Sequence, residues 1–361
     1  MKLSLKTFAL FALCAAALSA AISEPPKGSE NRWARKSGNF KDTIWFKEKA
    51  AKAEKSAAPT AIHTAVFAAT NGKWVINSKE EVWTFAQRAN NTSTTFQRGA
   101  DFTTCWFFGQ RGSDNKMKGY EGSFEIGDGA TFNVKERFVL AGNLIEDSGT
   151  GTFSQKGGTV NVGGQGIYLT GRWPMTSSAK AVGFYGLQGG SLNINCTEPN
   201  EPGLTQGTGN GIFSWQGGTL NASHVGMSIA NTGTGNLSPG GDEKIATMRL
   251  APIKESKESL YTYTQATSAK MTVNVAGRSS LDQVNWTTPD RKGRAVFEAG
   301  TTFELVPVKN YKPKSGDSYS VFIADDIELR GDPVIKCEGS MRTFKAQVTG
   351  NIPKRLQIVC E

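Results

Sequence analysis

The stretch Gly157-Gly158-Thr159-Val160-Asn161-Val162 is written again as Gly189-Gly190-Ser191-Leu192-Asn193-Ile194 and Gly217-Gly218-Thr219-Leu220-Asn221-Ala222, and once earlier as Gly129-Ala130-Thr131-Phe132-Asn133-Val134. After its glycines each copy reads polar, apolar, polar, apolar, which is the period of a half-buried strand leaving a tight turn. A helix of similar amphipathicity needs apolar residues three and four apart, and these segments lack them. Three copies carry an aromatic residue upstream of the Thr or Ser: Phe153, Tyr185 and Phe213. Looser copies extend the series: Gly99-Ala100-Asp101-Phe102, Thr247-Met248-Arg249-Leu250, Thr272-Val273-Asn274-Val275 and Thr302-Phe303-Glu304-Leu305. The anchors then fall at 101, 131, 159, 191, 219, 247, 272 and 302.

Propeller blades need about 40 residues per unit, whereas a period near 29 suits one turn of a three-sided β-helix. The expected fold is therefore all-β: a single-stranded β-helix (β-solenoid), right-handed in the usual form, with about eight coils of ~28–30 residues stacked ~4.8 Å apart. Phe132, Val160, Leu192, Leu220, Met248, Val273 and Phe303 then share one interior column. Four segments follow. Residues 1–21 are a signal peptide and 22–60 a polar, basic linker. Within that linker Asp42 is expected to cap a helix over 43–55 built on Ile44, Trp45 and Phe46. The solenoid occupies 61–310, and a C-terminal β closing unit, where the rhythm stops, occupies 311–361.

The leader consists of Lys2 and Lys6, an apolar run from Thr7 to Leu18, and the small residues Ser19, Ala20 and Ala21, with cleavage expected after Ala21. Its apolar run is too short for a membrane span, and no other stretch approaches the roughly 20 apolar residues required. The mature chain is expected to be secreted or held at the cell surface. Losing Lys2 and Lys6 takes two from the formal net charge of +9. Much of the remaining surplus lies between Glu24 and Lys55, where it favours anionic glycans or envelope polymers. Nucleic acid is not an expected partner, because an exported chain without a base-reading module has no use for it. Cys105, Cys196, Cys337 and Cys360 are too few for a disulfide scaffold. Cys337 and Cys360 flank the closing unit and are expected to form a disulfide. Cys105 and Cys196 lie about three coils apart, beyond the ~7 Å Cα reach of such a bond.

The glycine-pair repeats, the exported N-terminus and the short β closing unit resemble the β-helical passenger regions of bacterial autotransporter-type and adhesin-like surface proteins, over about residues 95–310. That resemblance implies an adhesion or envelope role and carries over no catalytic residue. The chain departs from autotransporters in that no barrel of alternating ten-residue strands follows, so export by a general secretion route is expected.

Glycoside cleavage requires two carboxyl groups about 5 to 10 Å apart. The paired aspartates Asp325-Asp326 sit in the tail. Glu125, Asp128, Glu136, Glu146, Asp147, Glu198, Glu201, Asp242 and Glu243 recur on no strand face. Two histidines, His63 and His224, do not make a zinc cluster, and the calcium-binding nine-residue repeat is absent, so no catalytic residue, metal ligand or cofactor is expected. The outward row Thr131/Asn133, Thr159/Asn161, Ser191/Asn193, Thr219/Asn221 and Thr272/Asn274 offers regular hydroxyls and amides to a glycan chain. The same residues also suit a merely solvated strand face. Arg172 and Trp173, in the excursion between two close repeats, form a pair able to stack on a sugar or pack against the coil. Trp106, Phe107 and Phe108 are expected to fill the core of the first coil. The expected function is a non-catalytic adhesion, matrix or envelope-structural role, with extracellular polysaccharide or envelope components as partners. The competing expectation is a carbohydrate-binding or polysaccharide-degrading (lyase or hydrolase) β-helix.

Overall fold

Each close copy of the repeat makes two strands that meet at its glycine pair: Thr150–Gln155 and Thr159–Val162 in one, Val182–Leu187 and Ser191–Ile194 in the next. The computed structural model describes residues 25–47, 55–110, 120–142, 148–171, 180–197, 201–241, 244–252, 256 and 258–361. The expected signal peptide and the Arg172–Trp173 pair lie outside them. All regular structure in the described residues is strand, arranged as one sheet of 11 strands and one of 23. The pairing between consecutive repeats is parallel. On the first run of strands Phe124, Phe153, Tyr185 and Phe213 are in register. On the second run Asp101, Thr131, Thr159, Ser191 and Thr219 are in register. Beyond a corner a third run aligns Phe107, Phe138, Ile167, Leu204 and Val225. Strands Asp101–Gln110 and Thr131–Ala141 pass through that corner with a register shift between Val134 and Arg137, which joins the second and third runs into the larger sheet.

Alternation along these strands sends one set of side chains inward. Phe102, Phe132, Val160, Leu192 and Leu220 are fully buried, each contributing about 1.5–3 kcal/mol before entropy is subtracted. Opposite them the rings of Phe153 and Tyr185 stack at 4.9 Å and 8°, and the Tyr185 hydroxyl, buried, donates to Gln155 Oε1 at 2.7 Å. The second glycine of each pair sets the turn. Gly190 has φ +70°, and a Cβ placed there would lie 2.1 Å from the Gly158 carbonyl of the repeat below.

Several expectations need correction. Beyond Thr219 the next strand in register is Asn236–Leu237, followed by Lys270, Thr302 and Val334. Thr247–Leu250 instead pairs with His224–Val225 and Gln283–Trp286 on the third run. The even spacing assumed a constant excursion at the corners, but the chain from Ala222 to Asn236 takes a short path through His224–Val225 and Ile229–Asn231. A Cβ at Gly233 would meet Gln216 O at 1.9 Å, so that path is open only to glycine. Thr272 is two residues off the anchor position. Lys270 aligns with Thr302, so Leu237 and Met271 occupy the column assigned to Met248 and Val273.

The ends also differ. The region 311–361 keeps the repeat, since Asp326–Leu329 and Val334–Cys337 extend two parallel ladders. Only the antiparallel hairpin Phe344–Thr349/Lys354–Cys360 is a closing unit. At the other end the predicted linker carries Asn31–Ala34, parallel to Thr64–Phe67. The helix expected over 43–55 is absent from its described part: Trp45–Phe46 is a strand antiparallel to Asn31–Ala34, and 48–54 lie outside the described residues. Burial of Trp45 against Phe40 and Phe67 outweighs the helical propensity of its neighbours. The Cys337–Cys360 disulfide is not formed. The two thiols lie on different strands, each sulfur near the carbonyl of the following residue.

The glycine turns yield a paired prediction. Gly190→Ala meets both a left-handed φ and a 2.1 Å contact, and should lower the unfolding free energy by more than about 2 kcal/mol in denaturant titration. Gly316→Ala, at φ +83° with open space around it, should lose about 1 kcal/mol. Equal losses would mean that stacking contributes nothing to the glycine requirement.

Candidate functional site

The outward side chains of the second run form a continuous polar row. Asn133 Nδ2 donates to Asp101 Oδ1 at 3.2 Å, Asn161 Nδ2 to Asn133 Oδ1 at 2.8 Å, and Asn193 Nδ2 to Asn161 Oδ1 at 2.8 Å. All the amides thus point the same way, repeat after repeat. Where the short repeat brings Asn236 beside Thr219, the chain after it rises over the row as the segment Ser238–Ala246, of which 242 and 243 lie outside the described residues. An open polar groove of about 1060 Å³ results. Thr159, Ser191, Asn193, Thr219 and Asn221 form its floor with Asn236 and Thr272, Lys244 stands on its wall, and Lys270 and Glu304 close its far end. Of the residues singled out from the sequence, Thr159, Asn193, Thr219 and Asn221 therefore come together. Thr131, Asn133 and Asn161 lie on the row leading to the groove, and Arg172 and Trp173 lie outside the described residues.

The wall is fastened from beneath by two residues that sequence reasoning did not find as a pair. Asp282, fully buried, accepts hydrogen bonds from the Ala246 N–H at 2.8 Å and the Asn274 N–H at 2.9 Å. Asn274 Nδ2 in turn donates to the carbonyls of Gly241 at 2.8 Å and Lys244 at 2.9 Å. Burial pushes the Asp282 carboxyl up to about 6, against the opposing pull of those N–H donors. Asn274 was expected in the outward row, but its amide is spent on the wall. The missed signal was Asp282 itself, an acid set between the short strands Ser280–Leu281 and Gln283–Trp286, whose residues are all neutral.

Around the corner the groove meets a smaller hollow of about 490 Å³, with which it shares Ser223, Ile245 and Ala246. His224 and Arg249 line this hollow as in-register neighbours on adjacent strands. Partial burial, with the Arg249 guanidinium beside it, holds the His224 imidazole below its ordinary value. His224 Nδ1 lies 3.3 Å from the hydroxyl of Ser223, which also bonds the backbone of Cys196 and lines both the groove and the hollow.

A second groove, of about 1180 Å³, corrects the placement of the paired aspartates. Asp325 and Asp326 belong to the repeat, beside Asp290, Arg291, Arg294 and Lys354. Asp326 is engaged by Lys354 at 2.7 Å and Arg294 at 3.5 Å, and Asp325 accepts the Gly293 N–H at 2.8 Å. Asp242, Glu243, Glu146, Asp147 and Glu198 lie outside the described residues. On the third run, only Phe107 of the Trp106–Phe108 stretch enters the core. Phe108 faces outward into a separate buried cluster with Ala86, Val139 and Tyr168, against which Trp106 packs. The unbroken apolar runs 105–108 and 138–141 carried that signal, since strands buried on both faces lose alternation. Neither a protein-family model nor a curated protein matches this chain.

Asp282 makes the stability of the wall region pH-dependent. Its folded value of about 6 lies above the ordinary ~3.9 of an aspartate, so its contribution is fully present below pH ~4 and is lost as pH rises through 6. The wild-type advantage in unfolding free energy over Asp282→Asn should accordingly shrink between pH 4 and 7, by at most about 3 kcal/mol. Chemical denaturation at several pH values measures this, and a flat difference would contradict it.

Proposed function

We propose that the chain is an exported, cell-surface β-solenoid that binds extracellular polysaccharide or envelope polymer and does not cleave it. Right-handed coiling is the hand that parallel strands joined by crossover connections take. The carrying observation is the directional Asn row that runs into an open groove floored by hydroxyls and amides. Saccharide chains present donors and acceptors at regular intervals along an extended axis. A row of side chains repeating at about 4.8 Å meets such a ligand without rearrangement, which keeps the ordering cost of binding low. The leader and the adhesin-like style of the repeats support an extracellular setting.

The non-catalytic reading rests on how the carboxylates are used. Glu304 is paired with Lys270 at 2.7 Å, Asp282 is buried under the wall, and Asp326 is held by two cations. A glycosidase instead keeps one carboxyl protonated and a second one free, facing the same bond. The reading is tested by passing the mature protein over immobilised polysaccharides and assaying the same mixtures for new chain ends. Retention without new reducing or unsaturated ends is expected, and Thr219→Val with Asn221→Leu should weaken retention about tenfold. New ends that disappear on heating the protein would replace this reading with a degradative one.

A further inference from the structure

The direction of the amide row is set from one end. A primary amide bonds to a copy of itself in either sense, so a stack of asparagines alone has two equivalent arrangements. The row holds one of them: Asn193 Nδ2 donates to Asn161 Oδ1, Asn161 Nδ2 to Asn133 Oδ1, and Asn133 Nδ2 to Asp101 Oδ1. The four asparagines Asn133, Asn161, Asn193 and Asn221 are successive register partners, with Thr103 below Asn133 in the same column and Asp101 diagonal to it. Thr103 Oγ1 lies 3.3 Å from Asn133 Nδ2, but a hydroxyl serves as donor or acceptor and sets no direction. A carboxylate only accepts. Asp101, whose other oxygen is 3.5 Å from Lys79, therefore turns the Asn133 N–H toward itself. The Asn133 oxygen is left facing Asn161, and the same constraint passes on to Asn193. Asn193 lies on the floor of the groove, and with its Nδ2 turned back along the row its oxygen faces the next repeat.

We infer that Asp101 is the positioning residue of the row, acting through Asn133 and Asn161 to fix which atom of Asn193 the groove floor presents, an acceptor in place of a donor. A polysaccharide chain has two different ends, and a row with one direction receives it in one orientation. That consequence for the ligand rests on the polysaccharide-binding reading above, whereas the direction of the row does not.

The test moves the carboxylate along the row in the full mature chain. Asn161→Asp sets oxygen against oxygen at Asn133, which Asp101 keeps from turning over, and should raise the unfolding equilibrium constant about tenfold in denaturant titration. In Asp101→Asn the amide of Asn133 is free to turn and donate to position 161, so the same change should cost less than about threefold. In Asn133→Ala, which breaks the relay, the two changes should become additive. Positions 101 and 161 are two repeats apart, about 10 Å, so direct repulsion between carboxylates is screened out in 1 M NaCl while the relay persists. Equal losses with and without Asp101→Asn, or a coupling that survives Asn133→Ala or disappears in 1 M NaCl, would overturn the inference. In the unaltered chain, isotope-labelled at asparagine, the through-hydrogen-bond nuclear magnetic resonance coupling should run from Asn161 Nδ2 to Asn133 Cγ. The reverse sense, or no coupling, would overturn it equally. Retention on immobilised cellulose, galactan and polygalacturonate separates the row from its ligand. Asp101→Asn should weaken retention about threefold although residue 101 does not line the groove, and adding Asn161→Asp should restore it, because the new carboxylate positions Asn193 in its turn. Retention indifferent to Asp101→Asn would overturn the consequence for the ligand. No retention of the unaltered chain on any of the three would overturn the polysaccharide reading and leave the role of Asp101 to the stability cycle.

Discussion

Parallel backbone pairing sets consecutive repeats about 4.8 Å apart, and each side chain must be compatible with its counterpart directly above and below. The glycine turns answer this constraint first. Gly190 is held by its positive φ and by the carbonyl of Gly158 stacked beneath it, so one glycine pair demands another. The aromatic column answers it with parallel rings, as in Phe153 over Tyr185. The outward row answers it with amides, because asparagine carries a donor and an acceptor and can bond to a copy of itself. Apolar burial stabilises the stack, while backbone register decides which residues share a column.

The candidate site lies where this repetition breaks. A short path from Ala222 to Asn236 brings one strand into the row early, and the chain that follows has length to spare before it rejoins the third run at Thr247. That spare length becomes the wall of the groove. Its fastening by Asp282 and Asn274 uses a buried carboxylate, which is costly unless hydrogen-bonded, and the backbone N–H groups of the wall supply those bonds. A regular stack would offer a flat polar face. The irregular repeat turns part of that face into a groove with cations at its edge.

Much of the architecture was legible in the sequence because period-2 alternation and glycine pairs have direct steric causes. The register of 131, 159, 191 and 219, the aromatic column and the outward Thr/Asn row all follow from them. What was not legible depends on loop length, which leaves no periodic trace. Thr247–Leu250 alternates like its neighbours and so looked like the next anchor, although it belongs to a different run. Thr272 failed for the same reason, since a shift of two residues preserves alternation. Helical propensity over 43–55 misled because Trp45 finds an aromatic pocket that local sequence does not reveal. Half of the candidate site was therefore readable as a row of residues. The wall, and the corner where His224 meets Arg249, emerge only once the chain is closed upon itself.

Because the groove exists only if Asn236 sits beside Thr219, register at this point is the most direct test of the account. Cysteines introduced as Thr219→Cys with Asn236→Cys would occupy in-register neighbours, within the 4.4–6.8 Å Cα range of a disulfide. Thr219→Cys with Thr247→Cys would place them on different runs. Mild oxidation followed by peptide mapping should give the 219–236 crosslink in high yield and no 219–247 crosslink. A 219–247 crosslink without the 219–236 one would restore the evenly spaced repeat and remove the groove.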